Sequence, residues 1–164
     1  LCDMDIIEAL YRASCAGVKI ELIVRGICSL RAGIPGVSEN ISVRSIVGAF
    51  LEHARIFWFL NEGKEEIYCA SADWMPRNLE RRVEILFPIE TPELVADLKH
   101  ILRVQLDDNT KARIMKQDGS YIRMTPGRNE PCGAQEIFMK EAKSIAAGRE
   151  STVNERVFVA EEKK

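Results

Sequence analysis

Between residues 46 and 88 the apolar residues come in short runs, and each run is closed by a polar or charged cluster. Runs of this length are too short to cover a helix face, and the Gly, Asn, Pro and Asp residues between them mark turns, so they read as β-strands. Ile56-Phe57-Trp58-Phe59, Ile67-Tyr68-Cys69-Ala70 and Ile85-Leu86-Phe87 supply three such strands. The clusters they deliver hold His53 and Arg55, then Ser71 to Asn78, then Arg81-Arg82. Side chains gathered at strand ends are where scaffolded sites usually lie. One imidazole, several guanidiniums and a Ser71/Asn78 pair in such positions imply a phosphate ligand. Arginine offers a planar donor fork that matches phosphate oxygens and keeps its charge, while histidine suits a proton or phosphoryl step.

The flanking sequence supplies the rest of an α/β domain. Ile6, Ile7, Leu10, Tyr11, Ser14 and Val18 recur at helical spacing behind a cap at Asp3 or Asp5, and the helix stops at Gly17. Residues 18–24 alternate and then turn wholly apolar, as a strand buried on both faces would, which predicts a parallel α/β unit. Arg25-Gly26 follows at once, at the strand end where open α/β sheets place their ligands. The glycine-containing loop 27–40 lacks the Lys-Ser/Thr ending of a nucleotide P-loop. A second strand covers 41–47 and carries Arg44; Thr91-Pro92 opens a helix reaching about Leu106. Asp118-Gly119 predicts a hairpin between 112–116 and 120–125, and 134–147 reads as a last helix before a charged tail over 151–164, with an apolar patch at Val157 to Val159.

Composition narrows the function classes. A length of 164 residues with 46% hydrophobic and 29% charged residues suits one well-cored soluble domain, expected over residues 1–150. A net charge of −2 argues against a general nucleic-acid or membrane-surface binder, and no apolar run is long enough to span a bilayer. Five cysteines, odd in number and without a Cys-x-x-Cys pair, favour neither a disulfide framework nor a zinc site, so a reducing cytoplasm is expected and no metal-ligand set is assigned. The chain opens on Leu1 with a helical pattern almost at once, which suggests a piece of a longer polypeptide.

Each candidate has a plainer reading. A lone histidine in an apolar stretch is often a core residue, and His100 reads as a helix-surface residue. Arg77, Arg81 and Arg82 have Asp73, Glu80 and Glu84 available as partners on a solvated face. Trp58 and Trp74 read as core, and the cysteines as structural.

Ordered motifs tip the balance for His53 and Arg25. Ile6-Ile7-Glu8-Ala9-Leu10-Tyr11, Leu22-Ile23-Val24-Arg25-Gly26-Ile27-Cys28, Ser38-Glu39-Asn40-Ile41, Phe50-Leu51-Glu52-His53 with Arg55, and Ser71-Ala72-Asp73-Trp74-Met75 with Arg77-Asn78-Leu79 together resemble the C-terminal portion of bacterial polyphosphate kinases. That family reversibly transfers the terminal phosphate of ATP to inorganic polyphosphate. The resemblance implies a phospholipase D-like fold, a mixed sheet flanked by helices, with His53-Ala54-Arg55 and the Ser71 to Asn78 segment as a degenerate form of that superfamily's His-x-Lys and Gly/Ser-x-Asn pattern. Arg55 stands where a phosphodiesterase would carry lysine, and Ala49 where many relatives have arginine.

Carried over by position, the resemblance assigns Arg25 and His53 to ATP, His53 to catalysis as a general acid or base, and Arg55, Arg77, Arg82 and Asn78 to phosphate contacts. It places the phosphorylated histidine and the magnesium-associated residues in a preceding domain, so Mg2+ would arrive with ATP, and this chain would hold half a site. Expected partners are ATP/ADP, polyphosphate and the remaining domains of the same polypeptide; the full enzyme is expected to be a homo-oligomer in the cytoplasm, with membrane association left open. Two other classes stay open: a phospholipase D-type phosphodiesterase acting as a dimer, and a noncatalytic assembly domain.

Overall fold

A computed structural model of the chain describes residues 1–150; the expected tail over 151–164, with its patch at Val157 to Val159, lies outside the described residues. The described chain is α/β, as the sequence pattern predicts. Helix α1 (Met4–Cys15) leads into β1 (Ile20–Ile23) and β2 (Ile41–Ile46), followed by β3 (Ile56–Phe59) and β4 (Glu66–Ala70). A one-turn helix α2 (Pro76–Leu79), β5 (Leu86–Pro88), α3 (Pro92–Asp107), β6 (Ala112–Met115), β7 (Tyr121–Arg123) and α4 (Ala134–Glu150) complete it.

The strands form two sheets, where the sequence reading expects a single mixed one. The first is mixed, in the order β1-β2-β6-β7, with β1 parallel to β2 and the other pairs antiparallel. The second is wholly antiparallel, in the order β3-β4-β5. Strands joined by short turns pair with each other first, which is why the β3–β4 hairpin closes on itself instead of extending the first sheet.

Alternation along β2 gives the first sheet a core on each face. Ile41 and Val43 point to one face, where Ile7 and Tyr11 of α1 pack with Leu30, Ala32 and Met115. Ile46, of opposite parity, points to the other, against Ala112, Val104 of α3 and Ala134 and Phe138 of α4. β1 corrects the expectation of a doubly buried strand. It is shorter than the apolar run, lies at the sheet edge, and is at most half-buried, with Val18 exposed before it.

Caps fix the ends. Asp3 accepts from the Ile6 amide at 3.1 Å and starts α1. Thr91 precedes Pro92 at the start of α3 as expected, but its side chain makes no capping bond. At the far end of α3, Asp108 is 1% exposed and accepts four backbone amides: Thr110, Lys111 and Ala112 on Oδ1 and Ala134 on Oδ2. Burial by itself would raise its pKa, yet these four donors together hold it below the usual carboxylate range. One carboxylate thus ties the end of α3 to the starts of β6 and α4. Gly119 supplies the φ of 82° that the β6–β7 turn requires, and Asp118 closes that turn on Ser120.

Candidate functional site

Parallel pairing brings the C-terminal ends of β1 and β2 side by side, and the residues after both strands meet there. The Val24 amide still donates to the Arg44 carbonyl at 2.8 Å, so the backbone stays in register up to Arg25. Ser45 Oγ lies 3.4 Å from the Arg25 carbonyl oxygen. From this position Arg25 Nη2 reaches Asp73 Oδ2 at 3.6 Å. The other oxygen of Asp73 accepts from Arg55 Nε at 3.0 Å, and Arg55 Nη2 lies 2.9 Å from His53 Nε2. Arg25, Asp73, Arg55 and His53 therefore form one continuous chain of contacts.

Its members come from both sheets. Arg25 follows β1, His53 sits in the loop 47–55 that leaves β2, Arg55 immediately precedes β3, and Asp73 follows β4. The Ala70 amide donates to the Arg55 carbonyl at 3.1 Å, which fixes the backbone from which Arg55 projects. The Arg55 hydrogen bond, joined by the charges of Arg55 and Arg25, holds the Asp73 carboxyl below its ordinary pKa against the opposing effect of burial. Two guanidiniums on one carboxylate leave a positive excess and several unused N–H donors, which is the electrostatic condition for binding an anion.

Glutamines of the helices hold the loop that carries His53. Gln135 Oε1 accepts from the Phe50 amide at 3.1 Å while its Nε2 donates to the Phe50 carbonyl at 2.8 Å and to Glu52 Oε1 at 2.6 Å. Gln105 Nε2 donates to the remaining Glu52 oxygen at 2.9 Å. A Cβ at Gly48 would meet the Gln135 amide, so a larger residue there would push that side chain off its partners in the loop.

The other sequence candidates fall elsewhere. Asn78 is 3% exposed; its Nδ2 donates to Glu84 Oε1 at 3.1 Å and its Oδ1 has no partner, so it presents no open donor to a phosphate. Ser71 Oγ also bonds Glu84 and accepts from the Ile85 amide at 3.0 Å. The Ser71/Asn78 pair thus closes the loop onto β5. Glu84 and Asp73 have other partners, and Arg77, Arg81 and Arg82 are exposed without an ion pair among the described residues. Arg44 binds the Leu106 carbonyl at the end of α3. His100 lies on the α3 surface, 2.8 Å from Glu141 Oε1. Trp74 stacks on Phe57 at 4.9 Å, and Trp58 is half-buried beneath Lys99 and Arg103. The five cysteines are free.

Sequence reasoning misses the central role of Asp73, the one acid in the Ser71 to Asn78 segment. It also misses Glu52, Gln105 and Gln135, whose partners lie dozens of positions away and leave no local signal. An open concavity of about 550 Å³, lined by Gly33, Ser42, Met115, Lys116 and Gln117, lies at the opposite end of the first sheet, away from the arginine cluster. It has neither converging guanidiniums nor an imidazole, so the chemistry favours the cluster. No group of three or more His, Cys, Asp or Glu side chains converges as a metal site among the described residues, and both Asp73 oxygens already face arginines. These side chains offer magnesium no seat of their own.

A family profile described as Polyphosphate kinase C-terminal domain 2 matches residues 1–135. The chain is 57% identical over 141 residues to a polyphosphate kinase of Pseudomonas putida, covering 85% of this chain and 19% of that protein. It is 53% identical over 143 residues to one from Synechocystis, covering 87% of this chain and 20% of that protein. The crystal structure of the polyphosphate kinase of Porphyromonas gingivalis superposes with a TM-score of 0.83 at 43% identity, covering 93% of this chain and 23% of that one. The chain spans about a fifth of the length of the curated relatives it matches.

Proposed function

This chain belongs to the polyphosphate kinase family, matching its C-terminal domain 2, and on that premise we propose that it supplies half of a site where the γ-phosphate of ATP passes reversibly to inorganic polyphosphate. The observation that carries the reading is the shared carboxylate: Arg25 and Arg55 both engage Asp73, and His53 lies against Arg55. The phosphate-accepting histidine would come from another domain of the complete enzyme. It attacks the γ-phosphorus as the bond to the β-phosphate oxygen breaks and ADP leaves; the terminal oxygen of polyphosphate then takes the phosphoryl group from the phosphohistidine. Magnesium travelling with ATP would neutralise phosphate charge.

In both steps charge builds on the phosphoryl oxygens and the leaving oxygen, so prepositioned guanidiniums supply stabilisation without reorganising. Asp73 keeps both arginines in place before the nucleotide arrives. His53 then hydrogen-bonds or protonates a phosphate oxygen. Arg77, exposed on α2, and Arg82, exposed just after it, are suited to more distant phosphates of the polymer. Arg55 occupies the place of the phosphodiesterase lysine but is bonded to both Asp73 and His53, which suits an anchoring role and disfavours the phosphodiesterase alternative.

The test exchanges the matching segment of a full-length polyphosphate kinase for this sequence and then introduces Arg25→Ala or His53→Ala. Either change should lower polyphosphate synthesis by about 100-fold or more. Turnover within about twofold of the parent, in variants that fold, removes these residues from the mechanism.

A further inference from the structure

Arginine carries only N–H donors and does not lose its proton in proteins, so a contact from its Nη2 is satisfied only by a lone pair. The Arg55 Nη2 to His53 Nε2 distance of 2.9 Å therefore demands a bare Nε2. The single proton of the neutral ring must then sit on Nδ1, because the hydrogen bond made by one ring nitrogen decides what the other carries. Arg55 is not free to turn away. Its Nε is held at 3.0 Å by Asp73 Oδ1, its side chain is only 17% exposed, and Arg25 holds the other Asp73 oxygen. Nδ1 has no partner among the described residues, and the His53 ring is exposed.

We infer that Arg55, braced by Asp73, fixes His53 as a neutral Nδ1–H hydrogen-bond donor to a phosphate oxygen, and that His53 does not itself carry a proton through the reaction. Taking up a proton at Nε2 would break the Arg55 bond and set an imidazolium against a guanidinium. Giving up the Nδ1 proton would leave an imidazolate. A neutral ring in this position donates one directed hydrogen bond to an oxygen on which charge develops, and no proton changes hands. Arg55 and Asp73 act here as positioning residues. The inference narrows the functional reading above, and rests on it only for the phosphate partner; the tautomer stands on geometry within this chain.

Histidine ring ¹⁵N spectra of the isolated chain, taken where the imidazole is neutral, read the tautomer directly. His53 should show its proton on Nδ1, and Arg55→Met should move it to Nε2; a wild-type ring protonated on Nε2 overturns the inference. In the full-length kinase carrying this segment, two amides divide the possible roles, since an asparagine amide overlays Nδ1 and a glutamine amide overlays Nε2. His53→Asn should keep turnover within about tenfold of the parent, while His53→Gln falls about 100-fold, as His53→Ala does. His53→Asn as inactive as His53→Ala overturns the donor role. Full activity in His53→Ala defeats the functional reading instead, with the tautomer result intact, so the two failures are told apart.

Discussion

The two sheets are built to different standards. The four-stranded sheet has packed cores on both faces, with Val43, Leu30 and Ala112 at 1% exposure or less. In the three-stranded sheet only Ile67 is buried, while Phe59, Leu86 and Phe87 are between 43% and 63% exposed. The candidate site draws on both: Arg25 comes from the well-packed sheet, and Arg55 and Asp73 from the open one. The ion pairs through Asp73 thus help to join the sheets as well as building the site, beside the bonds that the Cys2 and Asp3 amides donate to the Trp74 carbonyl. A cluster so placed has one arm backed by a core and another held by backbone bonds, those to the Trp74 carbonyl and the one from the Ala70 amide to the Arg55 carbonyl.

The largest effect should separate the sheets themselves. Leu30→Ala removes a side chain with no exposure from the first core and should cost about 2–5 kcal/mol in urea unfolding. Phe87→Ala in β5, where the ring is 43% exposed, should cost under about 1 kcal/mol. Equal losses would erase the distinction between the sheets.

Asp108→Asn tests what holds the better-packed half together, and should cost roughly 2–3 kcal/mol by disturbing four buried amides. Because the folded-state pKa of Asp108 lies below its unfolded value, its contribution is fully present above the unfolded pKa of about 3.9 and is lost as pH falls through the depressed folded value. Asp73 contributes with the same sign. Urea midpoints followed into acid should therefore fall less steeply in Asp108→Asn than in the parent; parallel curves would contradict the anchoring role.

A smaller effect is expected at the loop between the sheets. Gln135→Ala should cost about 1 kcal/mol and speed hydrogen exchange at the Phe50 amide, leaving the Val43 amide in β2 unchanged. Unaltered exchange at Phe50 would mean that something other than the glutamine clamp orders residues 47–55.

Local pattern reveals the elements and the ends at which Arg25 and His53 stand. It finds the three long helices α1, α3 and α4, the strand runs and the Asp118-Gly119 hairpin, and strand-end position singles out Arg25. Strand pairing is nonlocal, so the division into two sheets and the edge position of β1 leave no trace in the order of apolar residues. The same holds for side chains whose partners are remote. Nothing near Asn78 announces that it turns inward to Glu84, and nothing near Gln135 points to Glu52 across 83 positions. In the sequence Asp73 is only an acid available to Arg77, Arg81 or Arg82; folding gives it to Arg25 and Arg55 instead.

The most direct measurement is a titration of short-chain polyphosphate into the ¹⁵N-labelled chain, following arginine Nε–H and histidine ring resonances. Arg25, Arg55 and His53 should shift together along one binding curve, and Arg25→Ala should remove the response at Arg55 and His53. Shifts confined to Arg31 and Lys116, near the concavity at the far end of the four-stranded sheet, would contradict a phosphate site built around Asp73.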